Sequence, residues 1–320
     1  MALKTAILDD YQNVAMTVAD WSPVKKDVEL KVYDKPLGGP GQVIAALKDC
    51  EIVCLMRERT LFGADIINAL PKLKLIVTSG LRNAAIDVAA ANARGVVVSG
   101  TESLGHPTAE LTFGLMLELT RKIGHENARL KNGAAWQSTL GVDLYGKTLG
   151  IIGLGKLGSR VARIGDALDM KVIAWSQNLT AEKAKENGAT LVTKEDLFRQ
   201  SDFITIHVQL SARTRGLVGE KELGLMKPTA FFINTSRGPV ADEKAILAAL
   251  RSDKIAGAAL DVYDEEPLPL DHPFRKLDNI VITPHLGYVT AENYKRFYGQ
   301  MVEDIRAFLD GKPVRVIAAT

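Results

Sequence analysis

The stretch Gly153-Leu-Gly155-Lys156-Leu157-Gly158 narrows the choice of fold more than any other part of this 320-residue chain. Residues 148–152 before it are a short, mostly apolar run with the pattern of a buried strand. Residues 159–168 after it carry Val161, Ile164, Ala167 and Leu168 at helical spacing, and 172–175 is a second strand pattern. Strand, glycine turn, helix and strand within about thirty residues make a dinucleotide-binding unit. Gly153 permits the tight turn, Gly155 lets the backbone approach a pyrophosphate with no Cβ in the way, and Gly158 lets the helix pack close to the sheet. The helix N-terminus then offers N–H groups and partial positive charge to the phosphates. The spacing alone would also suit a loop that needs only flexibility. The flanking strands and helix favour the nucleotide, with Lys156 and Leu157 joining the three glycines around it.

Before this unit the chain alternates. Strands are expected at 4–8, 28–32, 52–55, 75–78 and 96–99, with helices around 11–20, 40–48, 63–70 and 86–94. After it come strands at 203–208, 231–234, 255–261 and 280–283, a helix at 244–252 and a closing helix at 301–309. The later strands join the two of the glycine unit in a six-strand doubly wound sheet. A long helix begins at Pro107, with Thr108 as its cap and Leu111, Leu115, Leu119 and Ile123 on its apolar face. The fold class is therefore α/β, with open parallel sheets covered by helices on both faces.

Composition excludes several functions. A net charge of +2 gives no reason to invoke nucleic acid or a membrane surface. No apolar run is long enough to span a bilayer, and the N-terminus shows a strand pattern rather than a signal peptide. The two cysteines, Cys50 and Cys54, fit reduced thiols in a cytoplasmic core better than a disulfide or metal site. No metal is expected.

In parallel sheets ligands bind beyond the carboxyl ends of strands, so the residues there are the candidates for chemistry. Arg57 and Arg59 follow one strand, and Gly80 and Arg82 follow another. Each arginine alone suits solvated surface charge; together they favour an anionic substrate, with Gly80 allowing close backbone approach to a carboxylate. Arg237, Glu266 and His285 each lie just past a strand of the second half. A hydride moving to or from a carbinol carbon requires a proton to move at the oxygen, which histidine can do in either direction. A neighbouring carboxylate favours the imidazolium, which suits Glu266. A guanidinium binds a carboxylate through two parallel hydrogen bonds, which suits Arg237.

Gly-Leu-Gly-Lys-Leu-Gly, then Asn-Thr-Ser-Arg237-Gly, Leu-Asp261-Val-Tyr-Asp-Glu-Glu266-Pro and Thr-Pro-His285 resemble, in order, the motifs of the D-isomer-specific 2-hydroxyacid dehydrogenases. The resemblance covers nearly the whole chain. It implies a flavodoxin-like substrate domain from 1–102 and 288–320, with an NAD(P)-binding Rossmann domain, 103–287, inserted between. It implies Arg237, Glu266 and His285 as the catalytic set, Arg57, Gly80 and Arg237 as substrate-binding, and Asp261 facing the nicotinamide carboxamide. Thr235, His207, Val208, Gln209 and Gly287 would line the cofactor. A homodimer through the nucleotide domains and a small 2-hydroxy or 2-keto acid substrate are further expectations.

The departures concern specificity. NAD-specific members place an aspartate after the second nucleotide-domain strand. Here Ser176, Gln177 and Asn178 occupy that stretch, with no acid to repel a 2′-phosphate and no arginine to clasp one. NAD is the expected cofactor and NADP remains open. Arg82 stands where an acid is usual, and Tyr288 replaces the second glycine after the histidine. Arg57-Glu-Arg59-Thr resembles the corresponding loop of 3-phosphoglycerate dehydrogenases. Two other functions resemble this pattern: phosphite dehydrogenases, with the same triad, and nucleotide-sensing corepressors, which bind peptides. Formate dehydrogenases fit less well, because they pair the histidine with glutamine where this chain has Glu266.

Overall fold

Twelve strands, paired in parallel, build two sheets among residues 2–319, which the computed structural model describes. The chain divides into two units, Met1–Leu104 with Val289–Thr320, and Gly105–Tyr288.

The first unit contains β1 (Leu3–Ile7), β2 (Val28–Val32), β3 (Ile52–Leu55), β4 (Leu75–Thr78) and β5 (Val97–Gly100), in the spatial order β2-β1-β3-β4-β5. This is the flavodoxin-like order, with its switch point between β1 and β3. Every residue of β3 and β4 is buried, because helices cover both faces of a parallel sheet. Val43, Leu47, Phe62, Ile66, Ile67, Leu70 and Ala91 pack on Val53, Leu55 and Ile76 to form the core of one face.

The second unit contains β6 (Thr148–Ile152), β7 (Lys171–Trp175), β8 (Thr190–Leu191), β9 (Phe203–Ile206), β10 (Phe231–Asn234), β11 (Gly257–Leu260) and β12 (Ile280–Ile282). Their order is β12-β11-β10-β9-β6-β7-β8, so strand order reverses between β6 and β9. The sheet has seven strands rather than the expected six. The added strand, β8, is two residues long, too short to show an alternating pattern.

The helices Ile123–Lys131, Ala181–Glu186, Lys194–Gln200 and Glu220–Leu225 were not expected, and three of the expected helices differ in bounds or capping. The first spans only Ala15–Val18, because the Asp10 carboxylate accepts hydrogen bonds from Val14 N and Ala15 N and Asn13 adopts φ +52°, which turns the chain before any helix starts. The helix Pro107–Arg121 has no side-chain cap; Thr108 instead donates to the Gly287 carbonyl at 2.7 Å. That helix ends where Lys122 takes φ +50°, so Ile123 lies beyond it and is exposed, while Ala109, Thr112, Phe113, Met116, Leu119 and Thr120 are buried. The closing helix begins ten residues earlier than expected and spans Ala291–Leu309. Its first half buries Asn293 and, at helical spacing with Met301, the aromatic residues Tyr294, Phe297 and Tyr298.

Candidate active site

The glycine turn is built as its sequence requires. Gly153 adopts φ +97°, and a Cβ there would lie 2.6 Å from Val208 Cγ1 and 2.8 Å from the His207 carbonyl. A Cβ at Gly158 would come within 2.0 Å of the Gly153 carbonyl oxygen, so the helix Gly158–Ala167 starts flush against the turn. Gly155 behaves differently: a Cβ there would meet no atom within 4 Å. Its lack of a side chain is not needed for protein packing, and it borders open space. No side chain caps the helix that follows, so its N-terminal dipole end is available to an anion. Lys156 is exposed beside Gly155, and Leu157 is half-buried. Both features fit a bound pyrophosphate.

Other residues expected around the nucleotide border the same sheet's carboxyl edge. Ser176 is half-buried just past β7, and Gln177 and Asn178 are exposed in the following turn. His207, Val208 and Gln209 follow β9 directly. Val208 presents its carbonyl to the Ser236 hydroxyl, and the Gln209 carbonyl accepts from Thr214 Oγ1 at 2.6 Å. Thr235, just past β10, is buried with its hydroxyl 3.1 Å from that of Thr112.

His207 Nε2 lies 3.0 Å from Thr205 Oγ1, and Nδ1 is buried with no hydrogen-bond partner among the described residues. Burial pulls its pKa down to about 3. The folded protein therefore keeps this ring neutral while the unfolded chain takes up a proton near the ordinary value of about 6.5. Stability is unaffected above that pH and is lost as pH falls from there towards about 3. His207→Asn should flatten this acid slope. Urea midpoints measured between pH 7.5 and pH 5 test it, an unchanged slope counting against the burial argument.

Arg237, Glu266 and His285 all belong to the second unit. Arg237 follows β10 in extended backbone; Asn234 Nδ2 donates to its carbonyl at 3.0 Å, and its own Nη1 donates to the Ser236 carbonyl at 2.7 Å. Glu266 Oε2 lies 2.6 Å from His285 Nδ1, while Oε1 accepts from Tyr263 N at 2.9 Å. The carboxylate is thus fixed at one oxygen by backbone and holds the ring with the other. His285 itself adopts φ +54°.

Asp261 is fully buried, and it holds the loop that carries His285. Its Oδ1 accepts from Thr283 Oγ1 at 2.6 Å and from Leu286 N at 2.7 Å, and Oδ2 accepts from Gly287 N at 2.8 Å. Burial pushes the Asp261 carboxyl up, opposed by these hydrogen bonds and by the nearby His285. Tyr263, not singled out in the sequence although it lies within the Leu-Asp-Val-Tyr motif, ties two strand ends together: its hydroxyl reaches the carbonyls of Leu260 and Thr283, both at 2.9 Å. The Tyr288 ring meets the His285 ring edge-on at 5.3 Å.

In the first unit, Arg57 follows β3 and Gly80 follows β4. Arg57 has φ +51°, and its Nη1 lies over Gly80, where a Cβ would come within 2.0 Å of it. Gly80, at φ +92°, is therefore required by its own backbone conformation and by the arginine's placement. Asn83 Nδ2 donates to the Arg57 carbonyl at 2.6 Å and fixes the turn. Arg59 does not share that role. Its Nη1 donates to the Asp9 carbonyl at 2.6 Å, its Nη2 donates to Tyr294 Oη at 3.0 Å, and its guanidinium covers the Tyr11 ring. Arg82 is exposed in the loop after Gly80. Among the described residues no group of acidic, histidine and cysteine side chains could hold a metal ion, and no helix is long and apolar enough to cross a membrane.

Residues 113–287 match the family model for the NAD-binding domain of D-isomer-specific 2-hydroxyacid dehydrogenases. The chain is 37% identical over 300 residues to the glyoxylate reductase of Aeropyrum pernix, covering 90% of this chain and 89% of that protein. It is 39% identical over 275 residues to the D-3-phosphoglycerate dehydrogenase of Methanocaldococcus jannaschii, covering 85% of this chain but 52% of that longer protein. The crystal structure of a phosphoglycerate oxidoreductase from Vibrio cholerae superposes with a TM-score of 0.92 at 33% identity, over 97% of this chain and 99% of that one. With similarity along nearly its whole length, this chain belongs to the D-isomer-specific 2-hydroxyacid dehydrogenases, oxidoreductases that use a nicotinamide cofactor.

Proposed function

We propose that the enzyme moves hydride between a nicotinamide cofactor and C2 of a small D-2-hydroxy acid or the matching 2-keto acid, with His285 as general acid and base. The bound nicotinamide supplies or accepts the hydride. The observation that carries the proposal is the 2.6 Å contact between Glu266 Oε2 and His285 Nδ1. With Nδ1 engaged, Nε2 is the nitrogen that gives a proton to the keto oxygen or takes one from the hydroxyl. The Glu266 carboxylate holds Nδ1 and so orients the ring for proton transfer at Nε2. Arg237 binds the substrate carboxylate and polarises the adjacent carbonyl. Arg57 of the first unit, held over Gly80, offers a guanidinium to anionic oxygen.

Ser176, Gln177 and Asn178 carry no charge that would repel a 2′-phosphate, so NADPH as well as NADH is a fitting cofactor. We place the enzyme in the cytoplasm, where the free, buried Cys50 and Cys54 would stay reduced. The proposed partner is a second copy of this chain, joined through the nucleotide-binding unit, where Trp136, Leu140 and Tyr145 are 71%, 98% and 75% exposed. The activity is tested by offering D- and L-2-hydroxy acids with NAD⁺ or NADP⁺. Reduction of either cofactor by the D-enantiomer alone is the expected result, and preference for the L-enantiomer would refute it.

A further inference from the structure

We propose that Glu243 is a positioning residue that clamps both ends of the loop 264–272 and thereby fixes Glu266 against His285. This rests on the roles given above to Glu266 and His285. Glu243 is the first residue of the helix Glu243–Arg251. The N-cap Asp242 accepts from Lys244 N at 2.8 Å and from Ala245 N at 3.2 Å, which fixes the backbone from which the glutamate extends. Glu243 Oε1 accepts from Asp264 N at 2.7 Å, at one end of the loop. Its Oε2 lies 3.5 Å from His272 Nε2, at the other end. His272 Nδ1 accepts from Phe274 N, so the proton of a neutral ring sits on Nε2 and faces the glutamate.

Glu266 lies between these two anchors. Within the loop Leu270 is 92% exposed, while Leu268 packs against the core and Arg275 donates to the carbonyls of Leu268 and Pro269, both at 2.8 Å. Glu243 thus acts on the ends of a loop that Arg275 holds at its middle. The same segment that carries Arg237 also abuts the loop: a Cβ at Gly238 would come within 2.0 Å of the Tyr263 carbonyl carbon and 2.5 Å of Asp264 N. Burial pushes the Glu243 carboxyl up; the Asp264 amide and His272 oppose the shift, and the Asp264 charge adds to it. The other charged groups acting here are Asp242 and Arg215, near Asp264. His285 acts on Asp261, and Arg275 acts on Tyr263. Hydrogen bonds weaken steeply with misalignment, so a loop released at either end would weaken the 2.6 Å contact between Glu266 and His285.

The test uses the full-length enzyme with saturating cofactor. E243A is expected to lower kcat for 2-keto acid reduction by about 10- to 100-fold, the scale of a small misplacement at the reacting centre. KM for the 2-keto acid should stay within about twofold of the wild type, because the carboxylate anchor proposed at Arg237 is untouched and only the proton-transfer geometry is disturbed. Nucleotide affinity should stay at the wild-type value. E243Q keeps an acceptor for the Asp264 amide and loses the charge facing His272, so its kcat should fall between those of E243A and the wild type. Wild-type kcat in E243A, or a KM that rises as far as kcat falls, would overturn the proposal. So would losses of folded fraction, nucleotide binding and kcat in step in both variants, since that is a merely structural role. E266Q provides the separate control: wild-type kcat in E266Q would refute the roles of Glu266 and His285 themselves.

Discussion

His285→Asn should lower kcat by about 100- to 10,000-fold, the range that a positioned general acid contributes. The dissociation constant for NADH should stay within about twofold of the wild type, because the proposed pyrophosphate site at Gly155 and the uncapped helix lie elsewhere on the sheet edge. Asparagine is the informative replacement. His285 sits at φ +54°, a left-handed conformation that asparagine tolerates better than most residues, so the variant removes the imidazole without straining the turn. The neighbouring contacts also persist, since Asp261 holds this loop through the amides of Leu286 and Gly287 rather than through the ring. Stopped-flow titration of NADH together with steady-state rates separates the two quantities. Parallel loss of binding and turnover would contradict the assignment of His285 to the chemical step.

Arg237→Ala should lower kcat/KM by about 100- to 1,000-fold, the scale of losing a two-pronged charge-assisted hydrogen bond to a carboxylate. Both parameters should move: KM rises because the carboxylate loses its anchor, and kcat falls because the neighbouring carbonyl is no longer polarised. Arg237→Lys should restore only part of the loss, since a point charge cannot reproduce the planar fork. The turn itself should survive, because it is held by the Asn234 side chain on the residue 237 carbonyl and by Gly238 against Tyr263. A rise in KM with kcat unchanged would limit Arg237 to binding alone.

The alternation of apolar runs and glycine turns was enough to expect two doubly wound sheets, because buried parallel strands have little choice of composition. β8 was not legible, since two residues carry no period. The first half of Ala291–Leu309 was legible but missed: Tyr294, Phe297, Tyr298 and Met301 stand at helical spacing and are all buried. At the site, the sequence pointed to residues at strand ends but not to what each one touches. Arg59 was grouped with Arg57 as an anion-binding cation, yet its guanidinium is engaged by the Asp9 carbonyl and Tyr294. Thr108 was expected as a helix cap and instead holds Gly287. Contacts between residues 179 positions apart, as in that pair, leave no local mark in the sequence.

The most direct measurement is the initial rate of NADH and NADPH oxidation with glyoxylate, hydroxypyruvate and a small set of larger 2-keto acids. The expected result is steady turnover with at least one of them, lost in His285→Asn, and a ratio of NADH to NADPH rates that reports what Ser176 permits. No turnover with any 2-keto acid and either cofactor, while the nucleotide still binds tightly, would contradict the proposed reaction.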